Sequence, residues 1–592
     1  MNTVLICGCP SHPCHPCAVF LFCRIVTCFL ICCNHSSFGR IHPNLMKKIF
    51  LSGLIILFFG RLQAQQLVSY ELIATYTLDQ IDSIYFANGI PGIILPSSYG
   101  VQAYKVLYNT LDSDSMPVLA SGAFFVPVGA VCQSPLVSYQ HGTILQKEDV
   151  PSRLAGGEVI IGLSMAADGA VLCMPDYLGL GDSPGLHPYV HAETEARAVA
   201  DLLVVALDIC DELAITLNDQ LFLIGYSQGG HATMAAHQMI QEHYSSYFTV
   251  TASAPMSGPY DLSGVQAGII SQGGVYPNPG YLPYLLLSYN EVYHMYESVS
   301  DFLVSPYDVL LPPLFDGLHT MGDVNAVMPD VPNDIIVPAV LDSFNSDPEY
   351  KLHKYLELND TYHWLPSAPI RMYFCEGDND VNYMNSYVAY DSFTANGATG
   401  ISLKSSGAGL DHVGCALPSL LSGKFWLDTF RLDKLKLAFD FEFESYIGAG
   451  DGSLTVHVNG GIPPYSYLWS NGGTDSTISD LPFGIYSVEV WDATGCPADA
   501  SIYLPVQVGI ENVFAQQINI YPNPITDFAT VDFPFWGSYM LRTTDLSGKT
   551  VQSQTVTGKK SILQRDHLSP GIYLLSITNN SGMTAIKKLV IQ

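Results

Sequence analysis

The alternation of apolar, strand-like runs with helical patterns over residues 65–438 is the feature that most restricts the fold of this chain. Strand-like runs include VLASGAFFVPV (118–128), DQLFLIGYS (219–227) and PIRMYFCEGD (369–378), and amphipathic stretches such as ETEARAVADLLVVALDIC (193–210) separate several of them. Strands that are apolar on both faces and alternate with helices are typical of a parallel sheet with helices on both sides. The sequence therefore predicts an α/β domain over residues 65–438.

Residues 259–366 interrupt this alternation with a segment rich in Leu, Tyr and Pro, such as YLPYLLLSYNEVYHMYESVSDFLV (281–304). The segment reads as mostly helical and separates two strands of the predicted sheet. An insertion at such a place can be a cap over an active site, or an additional helical layer of the domain. The sequence leaves both alternatives open.

From Phe439 onwards the helical patterns stop, and apolar and polar residues alternate between short turns that contain Gly, Pro, Asn and Asp. This pattern is typical of small β-sandwiches. We expect two small all-β domains, over residues 439–507 and 508–592.

The first 64 residues differ from the rest of the chain. Residues 1–45 hold eight of the 14 cysteines and no acidic residue, and MKKIFLSGLIILFFGRLQA (46–64) has the basic, apolar and small-residue regions of a signal peptide. We interpret residues 46–64 as a signal peptide cleaved after Ala64, and residues 1–45 as a mis-annotated upstream start. A Cys/His metal segment in HPCHPC is the alternative.

The net charge of −30, from 54 acidic against 24 basic residues, argues against nucleic-acid binding, which requires a cationic surface. No motif indicates a metal or an organic cofactor. Export predicts an oxidising compartment, in which one or two disulfides can form. The sequence does not pair the six cysteines that remain, which are Cys132, Cys173, Cys210, Cys375, Cys415 and Cys496.

The stretch LFLIGYSQGGHATMAAHQM (221–239) contains a G-x-S-x-G motif centred on Ser227. The motif alone is a weak signal, but here an apolar strand precedes it and a helix-forming segment follows it. That context is typical of a nucleophilic serine on a sharp strand-to-helix turn, where the neighbouring glycines make room for the backbone. The turn also directs the N–H of Gln228 towards a developing oxyanion. A structural Gly-Ser turn is the alternative.

A nucleophilic serine requires a base and an orienting carboxylate, which follow it in the order acid, then histidine. The loop EGDNDVN (376–382) offers two carboxylates, Asp378 and Asp380. We favour Asp378 because it begins a D-x-x-V pattern, and Asp380 remains the alternative. His412 follows a strand-like segment in a Gly-rich loop, which makes it the candidate base, and Asp411 is expected to orient that loop.

The second oxyanion donor is expected in the loop after an earlier strand, at His141-Gly142-Thr143. We choose the Thr143 N–H, with the Gly142 N–H as the alternative. Asp176, Tyr177 and Asp182 lie in another loop above a strand end, where we expect them to shape the pocket.

These motifs together resemble the secretory lipase family of α/β-hydrolases, the lipase A type. The segments that carry the resemblance are SYQHGT (138–143), PDYLGLGDSPGLHPYVHAETEARA (175–198), GYSQGGHA (225–232), SAPMSGPYDL (253–262), DNDVNYMNS (378–386) and LDHVGCA (410–416). The resemblance implies a helical cap, hydrolysis of carboxylic esters and a Ser–Asp–His triad, whose roles fall on Ser227, Asp378 and His412.

The last part of the chain resembles two other families. GGIPPYSYLWSNG (460–472) and LPFGIYSVEVWDATGC (481–496) are similar to the SprB-type repeat of Bacteroidetes adhesins. YPNP (521–524), DLSGK (545–549), LSPGIYLL (568–575) and KKLVIQ (587–592) are similar to a type IX secretion C-terminal sorting domain. The second resemblance implies the secretion machinery as a partner and a secreted or cell-surface location.

Three functions fit these observations. The first is a secreted lipase or esterase that cleaves a small-molecule or lipid ester through an acyl-enzyme on Ser227. The second is a prolyl-oligopeptidase-like peptidase on the same fold, since the triad chemistry is shared. The third is a surface adhesion protein with an inactive hydrolase domain.

Overall fold

The computed structural model describes residues 65–91, 94–95, 97–506, 513–580 and 582–592. The predicted signal peptide and the upstream segment lie outside the described residues, and so does the predicted boundary at residues 507–508. Among the described residues, no helix has the length and apolar character needed to cross a membrane.

A nine-stranded sheet with the strand order β1-β2-β3-β5-β4-β6-β7-β8-β9 forms the centre of the first domain. The strands are β1 Gln66–Tyr76, β2 Gly100–Leu111, β3 Pro117–Val128, β4 Ser134–Gln140, β5 Val171–Pro175, β6 Leu217–Tyr226, β7 Val250–Met256, β8 Ile370–Phe374 and β9 Ile401–Ser405. Strands β4 to β9 pair in parallel, whereas β1, β2 and β3 pair antiparallel, and so do β3 and β5.

The sheet is therefore mixed, and the prediction of a parallel sheet is wrong for its first three strands. The reason lies in the connection between β2 and β3, where the Asp112 N–H donates to the Met116 carbonyl across a tight turn. A hairpin of this length can join only antiparallel strands, because a parallel pair requires a long crossover.

Among the described residues, four α-helices precede the cap insertion: α1 Leu78–Ala87, α2 Val159–Ala167, α3 Ala192–Glu212 and α4 Gln228–His243. Alternate residues of each central strand point to opposite faces of the sheet. Leu223 packs in the cluster under α3 and α4, whereas Phe222 and Ile224 pack in the cluster that contains residues of α1 and α2. The sheet is thus buried on both faces, as its apolar strands predict.

The insertion between β7 and β8 is helical, and it forms the cap that the resemblance to the secretory lipase family implies. Its helices are α5 Gly268–Gln272, α6 Tyr281–Tyr293, α7 Tyr307–Leu310, α8 Met321–Asn325, α9 Pro338–Ser346 and α10 Lys351–Glu357. The cap has an apolar cluster of its own, which includes Tyr284, Leu286, Tyr289 and Phe302. Helices α11 Met384–Ala395 and α12 His412–Leu427 follow β8 and β9 and complete the domain.

The described residues of the C-terminal part form β-strands and one short helix, α13 Val513–Gln516. Two three-stranded sheets enclose Trp469; one contains β10 Lys436–Glu442, β11 Gly452–Asn459 and β13 Thr477–Leu481, and the other β12 Ser466–Trp469, β14 Gly484–Trp491 and β15 Pro497–Leu504. A five-stranded sheet follows, with β16 Asn519–Tyr521, β17 Phe528–Thr544, β18 Thr550–Gln564, β19 Gly571–Asn579 and β20 Thr584–Ile591.

Candidate active site

Ser227 lies in a strained turn between β6 and α4. Its backbone has φ 61° and ψ −124°, and its N–H donates to the Met256 carbonyl at 2.9 Å. Glycine is required on both sides of this turn, because a Cβ atom at Gly229 would lie 1.9 Å from the Gln140 carbonyl oxygen. At Gly225, a Cβ atom would lie 2.3 Å from the Gly229 carbonyl oxygen. Strain of this kind concentrates at functional sites.

The structure brings Ser227, His412 and Asp378 into one hydrogen-bonded chain. His412 Nε2 lies 2.8 Å from Ser227 Oγ, and His412 Nδ1 lies 2.8 Å from Asp378 Oδ2. With Nδ1–H donating to the carboxylate, Nε2 is left to accept the Ser227 hydroxyl proton. The three residues come from the ends of three different elements, and all three are buried.

Local structure holds the two partners of Ser227 in place. His412 is the first residue of α12, and the Asp411 side chain caps this helix by accepting from the Gly414 N–H at 2.8 Å. The Tyr226 hydroxyl donates to the His412 carbonyl at 2.5 Å. Asp378 Oδ1 accepts from the Val381 N–H at 2.9 Å, which leaves Oδ2 for the histidine.

A disulfide between Cys375 and Cys415 joins the loop of Asp378 to the first turn of α12. Each of these cysteines is three residues from its member of the Asp378–His412 pair. The covalent link therefore restrains the distance between the acid loop and the histidine. Of the described cysteines, Cys173 and Cys210 are free and buried, and Cys132 pairs with Cys496.

Asp380, the alternative acid, faces the cap instead of His412. Its Oδ2 accepts from Asn278 Nδ2 at 2.7 Å, and its carbonyl accepts from the Tyr276 hydroxyl at 2.6 Å. Burial raises the pKa of the Asp380 carboxyl. This aspartate thus links the acid loop to the cap.

The predicted oxyanion donors belong to the start of α4 and to the loop after β4, and this loop reaches Ser227 at Gly142. Gln228 is the first residue of α4, where backbone N–H groups have no partner within the helix. A Cβ atom at Gly142 would lie 3.8 Å from Ser227 Cβ, so the loop after β4 reaches the serine. The Gly142 N–H donates to Glu158 Oε1 at 3.3 Å, whereas the Thr143 N–H has no acceptor among the described residues. This difference favours Thr143 over Gly142 as the available donor.

A cavity of about 70 Å³ lies beside Ser227 and Gln228, under the cap. Its walls are mostly apolar side chains of the cap together with residues near the predicted triad: Leu262, Ile270, Tyr276, Leu282, Leu285 and Val381. The segment 259–366 therefore covers the serine and is not only an additional helical layer.

Asp176, Tyr177 and Asp182 are absent from the described walls of this cavity, contrary to the expectation that they shape the pocket. Asp176 accepts from Ser121 Oγ at 2.6 Å and from the Ser152 N–H at 3.0 Å. Asp182 forms an ion pair with Arg153 at 2.8 Å. Asp176 and Asp182 therefore bind Ser121, Ser152 and Arg153 in neighbouring segments of the first domain.

A buried polar cluster lies beneath the serine turn and was not predicted from the sequence; it contains His187, Glu195, Gln228 and His231. Glu195 Oε1 accepts from Gln228 Nε2 at 2.7 Å, and Glu195 Oε2 lies 2.7 Å from His231 Nδ1. The sequence pattern that indicates this cluster is the position of Glu195 on the apolar face of α3. Ala198, Val199 and Leu202 follow Glu195 at helical spacing on that face. No group of three or more His, Cys, Asp or Glu residues suited to a metal ion occurs among the described residues.

The first domain is similar to two solved structures. A Legionella pneumophila protein described as a hydrolase is 31% identical, with a TM-score of 0.57, and the match covers 62% of this chain and 97% of that one. The rice cell wall degrading esterase LipA from Xanthomonas oryzae, in a ligand-bound form, is 26% identical, with a TM-score of 0.55, over 62% of this chain and 99% of that one.

The chain belongs to the secretory lipase family of α/β-hydrolases. No curated protein sequence matches it. Membership in the secretory lipase family makes the first domain a hydrolase of the lipase and esterase type, with a helical cap inserted between two strands of its sheet.

Two family models match the C-terminal part of this secretory lipase family member. The SprB repeat matches residues 447–474, and the secretion system C-terminal sorting domain matches residues 519–592. Both resemblances predicted from the sequence are confirmed. The protein is therefore a secreted or cell-surface hydrolase that interacts with the type IX secretion machinery through its C-terminal domain.

Proposed function

We propose that the protein is a serine esterase that cleaves carboxylic esters through an acyl-enzyme on Ser227. The observation that carries this proposal is the chain of two 2.8 Å contacts from Asp378 through His412 to Ser227, at the wall of an apolar cavity. A serine hydroxyl at its ordinary pKa is a weak nucleophile, and a base within hydrogen-bond reach activates it.

In the first half-reaction, His412 Nε2 takes the proton of Ser227 Oγ while this oxygen attacks the ester carbonyl carbon. The Gln228 and Thr143 N–H groups stabilise the negative charge on the carbonyl oxygen. His412 then gives its proton to the leaving alcohol as the bond between the carbonyl carbon and the alcohol oxygen breaks. Asp378 keeps the imidazole in the tautomer that can accept at Nε2.

In the second half-reaction, His412 takes a proton from a water molecule that attacks the acyl-enzyme. The bond from the acyl carbon to Ser227 Oγ breaks, and His412 returns the proton to that oxygen. The products are a carboxylic acid and the free enzyme.

The cavity volume supports a preference for short acyl groups. An apolar cavity of about 150 Å³ is known to hold one benzene molecule, and the cavity beside Ser227 has about half that volume, about 70 Å³. An acyl group of a few carbons fits this space without movement of the cap. A longer chain extends beyond this space or requires the cap to move.

The experiment that tests the proposal is a series of p-nitrophenyl esters, from acetyl to palmitoyl, given to the full chain and to Ser227→Ala. We expect the highest kcat/KM for the short acyl groups, and loss of nearly all hydrolysis in Ser227→Ala. Ser288→Ala is a matched control, because it removes a buried hydroxyl that donates to the Leu285 carbonyl in its own helix, at 3.0 Å. It should retain wild-type activity.

Undiminished hydrolysis by Ser227→Ala would refute the proposal. An aminoacyl-proline p-nitroanilide belongs in the same series, because its cleavage in preference to every ester would assign the site to a peptidase. Absence of any hydrolysis by the wild-type chain would favour the adhesion function.

A further inference from the structure

The buried cluster beneath the serine turn contacts the side chain of Gln228 through His187 and Glu195. We propose that Glu195 and His187 are positioning residues, which clamp the side chain of Gln228 and thereby hold its backbone N–H where the oxyanion forms. This inference rests on the proposed esterase function and goes beyond it, because it assigns a role to residues outside the triad and the oxyanion site.

The directions of the hydrogen bonds fix the orientation of the Gln228 amide. His187 Nδ1 lies 2.7 Å from the Leu178 carbonyl, an acceptor, so Nδ1 donates. Burial lowers the pKa of His187 to about 3, so the ring is neutral and Nε2 is an acceptor. Gln228 Nε2 lies 2.7 Å from this Nε2 and 2.7 Å from Glu195 Oε1.

Both hydrogens of the Gln228 amide are thus committed to acceptors. Gln228 Oε1, by contrast, is buried and has no partner among the described residues. A flipped amide would place Oε1 against two acceptors, so the cluster enforces this orientation although it leaves one oxygen unpaired. Buried polar groups without a partner are rare in folded proteins and call for a functional reason.

Glu195 is itself held in place by the helix that begins at Gln228. Its Oε2 accepts from His231 Nδ1 at 2.7 Å, and His231 Nε2 donates to the Asn359 carbonyl at 2.8 Å. Burial alone lowers the pKa of His231, but the Glu195 carboxylate overcomes this effect and the pKa is raised. Glu195 therefore contacts the first turn of α4 at two points, Gln228 and His231, one helical turn apart.

The same cluster reaches the base of the cap. Asn359, two residues after the end of α10, accepts from His231 with its carbonyl and from the Ala192 N–H with Oδ1, at 2.8 Å. Its Nδ2 donates to the Tyr293 hydroxyl, at the end of α6. The first turn of α4 is thus tied to α3 and to the cap, and Gln228 is the member of this cluster that borders the cavity.

The test separates positioning from simple support of the fold. Gln228→Ala keeps the backbone N–H but releases the clamp, and it leaves the Glu195–His231 pair intact. We expect kcat on the best p-nitrophenyl ester to fall about 10- to 100-fold, less than the 10²- to 10³-fold loss typical when an oxyanion donor is removed. KM should stay within about twofold of the wild-type value, because the interaction strengthens only in the transition state.

An alkyl boronic acid gives the second readout, since its tetrahedral adduct with Ser227 mimics the oxyanion. Gln228→Ala should weaken boronate binding by the same factor as it lowers kcat. Concentrations of active enzyme are taken from fluorophosphonate titration, so that a loss of folded protein does not lower kcat. If Gln228→Ala does not fold, Gln228→Met is used in its place. The methionine side chain has about the volume of glutamine but lacks the amide.

Glu195→Gln and Glu195→Ala form a matched pair. In Glu195→Gln, the new amide oxygen can still accept from Gln228, and the new amide N–H can donate to a neutral His231, so this variant should retain most of the activity. Glu195→Ala removes both contacts and should show the same loss of kcat and boronate affinity as Gln228→Ala.

Gln220→Ala is the control for a purely structural effect. Gln220 is a buried glutamine at the other end of β6, where its Nε2 donates to the Phe430 carbonyl at 2.8 Å. Gln220→Ala should lower the melting temperature and leave kcat and boronate affinity unchanged.

Unchanged kcat and boronate affinity in Gln228→Ala would overturn the inference and leave the esterase function standing. A wild-type chain without esterase activity would refute the proposed function, and this inference with it.

Discussion

At the scale of single residues, Asp378 and Asp380 differ in the direction in which each side chain leaves the loop. Asp378 accepts backbone N–H bonds on Oδ1 and faces His412 with Oδ2, whereas Asp380 faces Asn278 of the cap. Both side chains belong to one short acidic stretch, so composition alone could not separate them. The D-x-x-V spacing favoured Asp378, and the geometry agrees with that choice.

Asp378→Asn should lower kcat about 10³- to 10⁴-fold, because an amide favours the wrong histidine tautomer, as in other serine hydrolases. Asp380→Asn should lower it less than about tenfold, because this side chain does not contact His412. Steady-state kinetics of the two purified variants on one ester provide the measurement. A larger loss in Asp380→Asn than in Asp378→Asn would contradict the assignment.

Ser227 and His412 could be predicted from the sequence because their local context is encoded locally, as a strand, a turn and a helix or loop. Glu195 could not, because its role depends on contacts with His231 and Gln228, which lie more than 30 residues away along the chain. The local pattern marks Glu195 as a charged residue on the apolar face of its helix, but it does not identify the residues that Glu195 contacts.

At the scale of elements, the acid loop after β8 and the start of α12 act as one covalently closed unit. The Cys375–Cys415 disulfide joins them, and Tyr226 at the end of β6 donates to the His412 carbonyl. Neither contact can be read from the sequence, because pairing of cysteines depends on how the strands lie in the sheet.

The double variant Cys375→Ser/Cys415→Ser should lose about 4 kcal/mol of unfolding free energy, the loop-closure value for a separation of 40 residues. It should also lose activity at temperatures below its melting transition, because the loop of Asp378 is then free to move away from His412. Denaturant unfolding and kcat at several temperatures provide the measurements. Cys210→Ala, which removes a free buried thiol, is the control. Stability and activity equal to the wild type would show that the link is dispensable.

At the scale of the whole molecule, the repeat domain, which consists of strands β10 to β15, is attached at the end of the sheet opposite the active site. Cys132 forms a disulfide with Cys496 of the repeat domain. Cys132 lies just before the start of β4, whereas Gly142 and Thr143 lie just after the end of β4. A seven-residue strand spans roughly 23 Å, which separates this attachment from Ser227. The disulfide therefore joins the repeat domain to the end of β4 that lies away from Ser227.

The domain order could be predicted from the changes in pattern along the chain, but this attachment could not. It depends on a disulfide that spans 364 residues and on buried ion pairs of Asp168 with Lys424 and Arg431, just before the repeat domain. The mixed pairing of the first three strands was missed for a related reason, since periodicity predicts strands and not their direction.

Deletion of residues 519–592 should retain the enzyme inside the cell envelope and leave its ester hydrolysis unchanged. The sorting domain directs export, and its apolar cluster contains no residue of the first domain. Activity in culture medium, on whole cells and in cell lysates provides the measurement in a host that has type IX secretion. Normal release of the truncated protein would contradict the assignment of the sorting domain.

The central claim is that Ser227 is a nucleophile activated by His412. Reaction with a fluorophosphonate, followed by mass spectrometry of the peptides, tests it most directly, because only an activated serine forms the covalent adduct at a useful rate. We expect one adduct per chain, on the peptide that contains Ser227, and slow or no labelling in His412→Ala. An unlabelled Ser227 in a protein that hydrolyses esters, or labelling at the wild-type rate in His412→Ala, would contradict the claim.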